Sequence, residues 1–146
     1  MVSIDRRVVD FILAHHVLTL ATCAGGRPYC ASLFYVYLVE ENVLVFASKE
    51  GSRHVSEALA AGSVAGSMAV ETRMVGLVRG LQWEGCFFPL EGIMRRRAWR
   101  AYVRRFPFAA LGGARLWGIR LTFFKYTDNR LGFGKKIIVT LQSNEK

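Results

Sequence analysis

The sequence predicts an α+β domain built on a closed or nearly closed antiparallel β-barrel, with two or three helices around it. Three observations lead there. β-type runs come in hairpins separated by short turn segments, helical patterns interrupt them only at intervals, and no strand–helix–strand alternation of the parallel-sheet kind occurs. At 146 residues the chain has the length of a single domain, 1–146, and its 52% apolar content suits a packed core. The interior of so small a barrel fills with side chains, so a sizeable ligand is expected on its outside or between subunits.

Ser3 is a candidate N-cap with Asp5 in the first turn, and Ile4, Val8, Phe11 and Ile12 share one face of a helix ending near Ala14. His15 and His16 follow at its C-terminus, where imidazole suits the dipole. Val17 to Thr22 and Pro28 to Val39 are strands joined by the Ala24-Gly25-Gly26 turn. Glu40-Glu41-Asn42 makes the next turn, and Val43 to Ala47 is a third strand. Arg53 to Ala61 has the pattern of a short helix stopped by Gly62. Val64 to Val70 and Val75 to Phe88 are predicted strands around Glu71-Thr72-Arg73. Met94 to Phe106 is an amphipathic helix closed by Pro107, with Trp99, Tyr102, Val103 and Phe106 on its core face. Leu116 to Tyr126 alternates as a long strand with Trp117, Ile119, Leu121 and Phe123 on one face. Lys136 to Leu141 is the last strand, and residues from Gln142 onward are expected to fray.

Composition narrows the function classes. The longest apolar stretch, Tyr29 to Val39, is far short of the roughly 20 residues a membrane helix needs. Asp10 interrupts the apolar segment behind Arg6 and Arg7, which argues against a secretory leader and for a cytoplasmic protein. Cys23, Cys30 and Cys86 form no CxxC pair, as expected of reduced thiols, and the three histidines lack metal-ligand spacing. Core packing is the expectation for Cys86 and Trp83. The formal charge of +9 attracts anions: nucleic acid, an anionic surface or a phosphorylated cofactor.

Three segments bear on chemistry. In VFASKEGSRHVSEAL, Val45 to Leu59, a buried strand enters a polar loop and then a helix start. Helix amides, hydroxyls and a guanidinium converge there as a phosphate site would require, or Ser52 merely caps the helix and the cations are solvated; both readings stand. In MRRRAWRAYVRRFP, Met94 to Pro107, Arg96, Arg97, Arg100 and Arg104 oppose the aromatic face, giving a solvated arginine face or a contact for a nucleotide or nucleic-acid backbone. KYTDNRLGFGKKIIV, Lys125 to Val139, joins glycines to lysines, but no Ser/Thr follows the lysines and a strand follows rather than a helix. Gly132 and Gly134 are backbone devices of a turn. No GxSxG, paired-carboxylate or dinucleotide pattern is present.

A strand ending in Ser, a polar loop with Ser and Arg/Lys, a short helix and a Val-rich strand resemble the pyridoxamine 5′-phosphate oxidase-like FMN-binding split barrels (PNPOx-like). Within that superfamily Ser52-Arg53-His54, Leu77-Val78-Arg79-Gly80-Leu81-Gln82 and Tyr126 to Lys136 are similar to a small branch, the YhbP-like proteins. Arg104-Arg105-Phe106-Pro107 and Trp117-x-Ile119-Arg120-Leu121 share that likeness, which spans nearly the whole chain. The resemblance implies a homodimer with an FMN at each end of its interface. It places the flavin phosphate on Ser48, Lys49, Ser52, Arg53 and His54, and Gln82 beside the ring. Lys135 joins the cofactor-binding candidates because the final strand of a split barrel could bring it, or Lys136, to the cleft. The chain lacks the C-terminal Arg-x-His with which pyridoxamine phosphate oxidases hold substrate, so that reaction is not implied. The expectation is a flavin-dependent oxidoreductase of open substrate. Its rivals are a non-catalytic flavin or haem binder and, ranked below it, a nucleic-acid-binding module using the helix at 95–105.

Overall fold

The computed structural model describes residues 3–141; the expectation for Gln142 onward lies outside the described residues. The chain runs α1 (Arg6–Ala14), β1 (Val17–Ala24), β2 (Arg27–Leu38), β3 (Val43–Ser48), α2 (Arg53–Ala61), β4 (Ser63–Ala69), β5 (Arg79–Pro89), α3 (Gly92–Arg105), β6 (Arg115–Asp128) and β7 (Lys136–Thr140). Every pairing is antiparallel, in the order β3-β2-β1-β4-β5-β6-β7, and β3 also pairs with β6. The strands β1 to β6 therefore close into a barrel, with β7 as an extra strand on β6. This is the α+β barrel the hairpin pattern predicts.

Closure explains the composition of β3. Val43 aligns with Arg120 and Ser48 with Arg115, while the other edge of the strand pairs with β2. Its Val43, Leu44, Val45 and Phe46 are all fully buried. Leu44 and Phe46 face the barrel interior, and Val43 and Val45 face a second apolar layer beneath α3. A strand covered on both faces needs a continuous apolar run, and VLVF is one.

The barrel is filled as its size demands, by Leu20, Phe46, Leu81, Trp83, Trp117, Ile119 and Phe124 among others. Helices plug its two ends. Val8, Phe11 and Ile12 of α1 enter one mouth, where Tyr35 donates to the Ile12 carbonyl at 2.6 Å. Val55 and Ala58 of α2 join the core at the other mouth, where the Thr22 hydroxyl donates to Glu57 at 2.6 Å. Gly25 and Gly26, at φ 56 and 73, make the two-residue turn between β1 and β2 that a tight hairpin requires. Asn42 takes φ 54 at the next turn; its side chain donates to the Leu121 carbonyl at 3.0 Å and accepts from Tyr37 at 2.8 Å, tying that turn to β6.

Several expectations need correction. Asp5, not Ser3, caps α1, accepting from the Arg7 amide at 2.9 Å. Val75–Leu77 is a 3₁₀ turn and not part of a strand, because β4 has ended at the Ala69–Gly80 pair and offers 75–78 no partner. A bulge opposite Glu84/Gly85 leaves Thr122 without a partner on β5, so the inward face passes from Trp117, Ile119 and Leu121 to Phe124 and Tyr126, and Phe123 turns outward. Cys86 is exposed on the outer face of β5. On α3 the core face is Ala98 and Tyr102, while Trp99 is 40% exposed.

Beyond the bulge, β6 leaves β3 and pairs with β7. At its far end Asp128 is buried and accepts from the Arg130 guanidinium at 2.8 and 3.0 Å, from the Arg130 amide at 3.0 Å and from Tyr126 at 3.1 Å. Arg130 is the main cause that holds the carboxyl down at about 2. Asn129 bonds the Val78 and Val75 carbonyls, so TDNR knots the ends of β5 and β6 together.

Two measurements test this packing. A Cβ at Gly85 would lie 2.6 Å from both the Arg120 carbonyl oxygen and Ile119 Cγ2. Gly85→Ala is therefore expected to cost at least about 2 kcal/mol in denaturant unfolding; an unchanged midpoint would mean β5 and β6 do not meet this closely. Because the Asp128 pKa is lower folded than unfolded, its contribution is complete above about pH 4 and lost as pH falls toward about 2. Asp128→Asn is expected to lower stability at neutral pH and to flatten the acid limb in urea unfolding at stepped pH; an unaltered limb would place the acid sensitivity elsewhere.

Candidate functional site

At the mouth plugged by α2, β3 ends and the chain turns through Lys49, Glu50 and Gly51 into the helix. Ser52 takes the extended backbone of an N-cap, yet its side chain makes no capping bond. Its hydroxyl donates instead to the Lys49 carbonyl at 2.8 Å and lies 3.2 Å from the Ser48 hydroxyl. The first-turn amides of α2 thus lack a side-chain acceptor, which is the arrangement that receives an anion. Ser48 also contacts His54 Nε2 at 2.8 Å, and Ser52 reaches the same nitrogen at 3.4 Å. Partial burial lowers the His54 pKa, favouring the neutral ring. Two hydroxyls, one imidazole and a helix start therefore meet within a few residues.

Arg53 stands at the rim. Its Nε donates to Glu57 at 2.8 Å, one helical turn on, and its guanidinium lies 4.1 Å from the centre of the Tyr29 ring. Glu57 is kept ionised first by the Thr22 hydroxyl and then by Arg53, both of which lower its pKa. This chain from β1 through Glu57 fixes a guanidinium that remains half exposed. Lys49 is exposed beside it. Across the loop Arg115 pairs with Glu50 at 3.3 Å, and Trp117 Nε1 donates to the Ser48 carbonyl at 3.1 Å.

Five of the seven candidates, Ser48, Lys49, Ser52, Arg53 and His54, therefore lie in one loop and helix start. Gln82 lies apart, exposed on the outer face of β5 between Ser67 and Lys125. Lys135 lies farther away. Its carbonyl accepts from the amide of Asp128, at the end of β6 opposite Arg115. The two places stand at opposite ends of β6 (Arg115–Asp128). Among the described residues no hydrogen bond joins Gln82 or Lys135 to the loop. Among the described residues no three His, Cys, Asp or Glu side chains group as a metal site would require.

The sequence reading missed Glu57, Tyr29 and Trp117. The i,i+4 spacing of Arg53 and Glu57 on a helix was visible and sufficient to find the pair. The contacts of Tyr29 and Trp117 depend on strand register across the barrel, which no local pattern carries.

The comparisons with known proteins agree with this architecture. No protein-family model matches the chain. A haem-binding protein of Mycobacterium smegmatis superposes with a TM-score of 0.76 at 16% identity, over 96% of this chain and 60% of that one. An FAD-binding protein of Mesorhizobium loti superposes with a TM-score of 0.65 at 16% identity, over 83% of this chain and 92% of that one. Identities this low establish the split-barrel fold and nothing further. A UPF0306 protein of Yersinia pseudotuberculosis is 38% identical over 127 residues, covering 87% of this chain and 86% of its own length. With that identity over most of both sequences, the chain belongs to the UPF0306 family.

Proposed function

We propose that the protein binds FMN at the loop Ser48 to His54 and works as a flavin-dependent oxidoreductase in a homodimer. The observation that carries this reading is the uncapped start of α2, with its hydroxyls and fixed guanidinium gathered at one barrel mouth. An FMN phosphate brings nearly two negative charges and several acceptor oxygens. The first-turn amides, Ser48, Ser52, Lys49 and Arg53 are donors suited to it, and neutral His54 offers either a donor or an acceptor by its choice of tautomer. When bound, the flavin would supply the hydride- and electron-transfer chemistry. The likeness to YhbP-like proteins and a reducing, cytoplasmic setting for three free thiols belong to the same reading.

The barrel wall supports the second copy. The outward residues of β1 and β4 are small, with Thr19 beside Ser67 and Ala21 beside Ala65, and the longer Gln82 and Glu84 of β5 flank them. Helix α3 covers β2, β3 and the start of β6, but among the described residues nothing covers these rows. A hollow of about 430 Å³ lies in the same wall. Small side chains over so broad a surface let two walls approach closely. A partner seated here would stand beside Gln82, and only a second copy could bring Lys135 toward the cradle of the first.

The FAD- and haem-binding neighbours make haem the one rival worth titrating beside FMN. Added FMN is expected to show the shifted, structured absorption of a bound flavin with micromolar affinity. Arg53→Ala is expected to weaken it about 10- to 100-fold with an unchanged circular dichroism spectrum. A Soret band with haem and no flavin uptake would replace this reading by the rival. Reduction by NADH or NADPH under anaerobic conditions, followed by reoxidation with an acceptor, would identify an enzyme; a flavin that stays oxidised would identify a carrier.

The dimer has its own test. Light scattering is expected to give twice 16.4 kDa for the native chain and the single mass for Ala65→Arg, with flavin affinity falling in step. A native monomer that still binds FMN tightly would remove the interface from the proposal.

A further inference from the structure

A second hollow lies away from the Ser48 to His54 loop, beside α3. It measures about 640 Å³ and is lined by Gly92, Arg95, Arg96, Trp99 and Arg100 of the helix, with the Gly113–Ala114 turn opposite. Those helix positions recur at spacings of three and four, so they form one continuous stripe. Gly92 and Gly113 take φ of 57 and 62, and a Cβ built on either would meet nothing within 4 Å. Both ends of the hollow are therefore bare backbone with room in front of it.

The lining is unusual in charge. It holds three guanidiniums and no carboxylate. Among the described residues Arg95, Arg96 and Arg100 enter no ion pair, whereas Arg97 on the next face is held by Glu40 and Glu41. Arg105 is engaged as well, donating to the His15 and Leu13 carbonyls. Trp99 is 40% exposed among these cations, while Trp83 and Trp117 are each 1% exposed in the core.

We propose that this hollow is a nucleoside-phosphate site, with the base stacked on Trp99 and the phosphates held by Arg95, Arg96 and Arg100. An indole face open to solvent between guanidiniums offers stacking and phosphate binding in one place. A nucleoside diphosphate carries about three negative charges, which matches three uncompensated arginines. The volume is that of a small-molecule pocket. A polynucleotide would need a longer basic track; here Arg104 extends the stripe by one turn, and the neighbouring Arg97 and Arg105 are already engaged. The site shares no residue with the flavin cradle, so it stands or falls separately.

The test is calorimetric titration of ADP into the full chain, with and without saturating FMN, together with tryptophan emission of the flavin-free protein. ADP is expected to bind with micromolar affinity in both conditions and to quench the solvent-exposed component of the emission. Arg96→Gln combined with Arg100→Gln is expected to weaken ADP at least tenfold and leave FMN affinity unchanged. Trp99→Ala is expected to weaken ADP several-fold while pyrophosphate binding holds, and Arg53→Ala to leave ADP untouched. No heat and no quenching at millimolar ADP would overturn the proposal. So would loss of ADP binding in Arg53→Ala, which would move the nucleotide to the cradle, or equal affinity for pyrophosphate and ADP whether or not Trp99 is present, which would reduce the site to a bare anion patch. A 20-mer RNA that binds far more tightly than ADP, with a steep salt dependence, would overturn it in favour of a nucleic-acid surface.

Discussion

The pairing of β3 with β6 is the constraint on which the rest depends. It closes the sheet, and closure forces β3 to be buried on both faces, inside by Leu44 and Phe46 and outside by Val43 and Val45. An open sheet would expose one of these faces and leave the polar groups of a strand edge unpaired. The same pairing sets Ser48 opposite Arg115 at the rim, with the Trp117 indole bonded to the Ser48 carbonyl. The loop that follows is therefore aimed by the barrel and not by its own short sequence. Helix α2 then has to cross the mouth, because Val55 and Ala58 complete the core there. The uncapped start of the helix is a by-product of plugging the barrel.

Both ends of β6 are governed by what the strand must do elsewhere. Asn42 grips Leu121 through backbone and side chain, directly before Thr122 steps out of register with β5. That step turns β6 from β3 toward β7 and reverses which residues face inward. The TDNRLGFGKK segment lies beyond it. Its Asp128 is occupied by Arg130 and Tyr126, and its Asn129 by the Val75 and Val78 carbonyls. Gly132 and Gly134 adopt positive φ in the turn to β7. The glycines and lysines that suggest a phosphate loop in one dimension build a strand junction in three.

Much of the fold was legible because local physics and the final structure agree. The glycine pair after Ala24, the αL Gly62 after α2 and the apolar run of β3 each carry their conformation in their chemistry. The loop with Ser48, Ser52 and Arg53 was equally visible, since strand end, loop and helix start are contiguous. What was not legible depends on distant partners. Val75 and Val78 are β-branched strand formers, but the segment between β4 and β5 has no strand to pair with. Phe123 follows the alternation of Trp117 until one unpaired residue shifts the face. Trp99 sits at a helical spacing that fits the core as well as the outer stripe, and only the position of the Gly113–Ala114 turn decides between them.

The location of the surplus charge follows from the same packing. Among the described residues most carboxylates are held by partners: Asp5 by Arg7, Asp10 by Arg6, Glu57 by Arg53 and Thr22, Glu50 by Arg115, Glu40 and Glu41 by Arg97, and Asp128 by Arg130. A net +9 is therefore not spread evenly over the surface. Among the described residues it collects where arginines have no fold-making task, above all on the outer stripe of α3. At the cradle the opposite holds: Arg53 is tied to Glu57 and Tyr29, so its position is fixed before any ligand arrives. Fixed donors lose little entropy on binding and discriminate by geometry, whereas free guanidiniums attract first and order later. The fold thus separates a fixed guanidinium at the barrel mouth from freer ones on α3, and that difference follows from which arginines found a carboxylate.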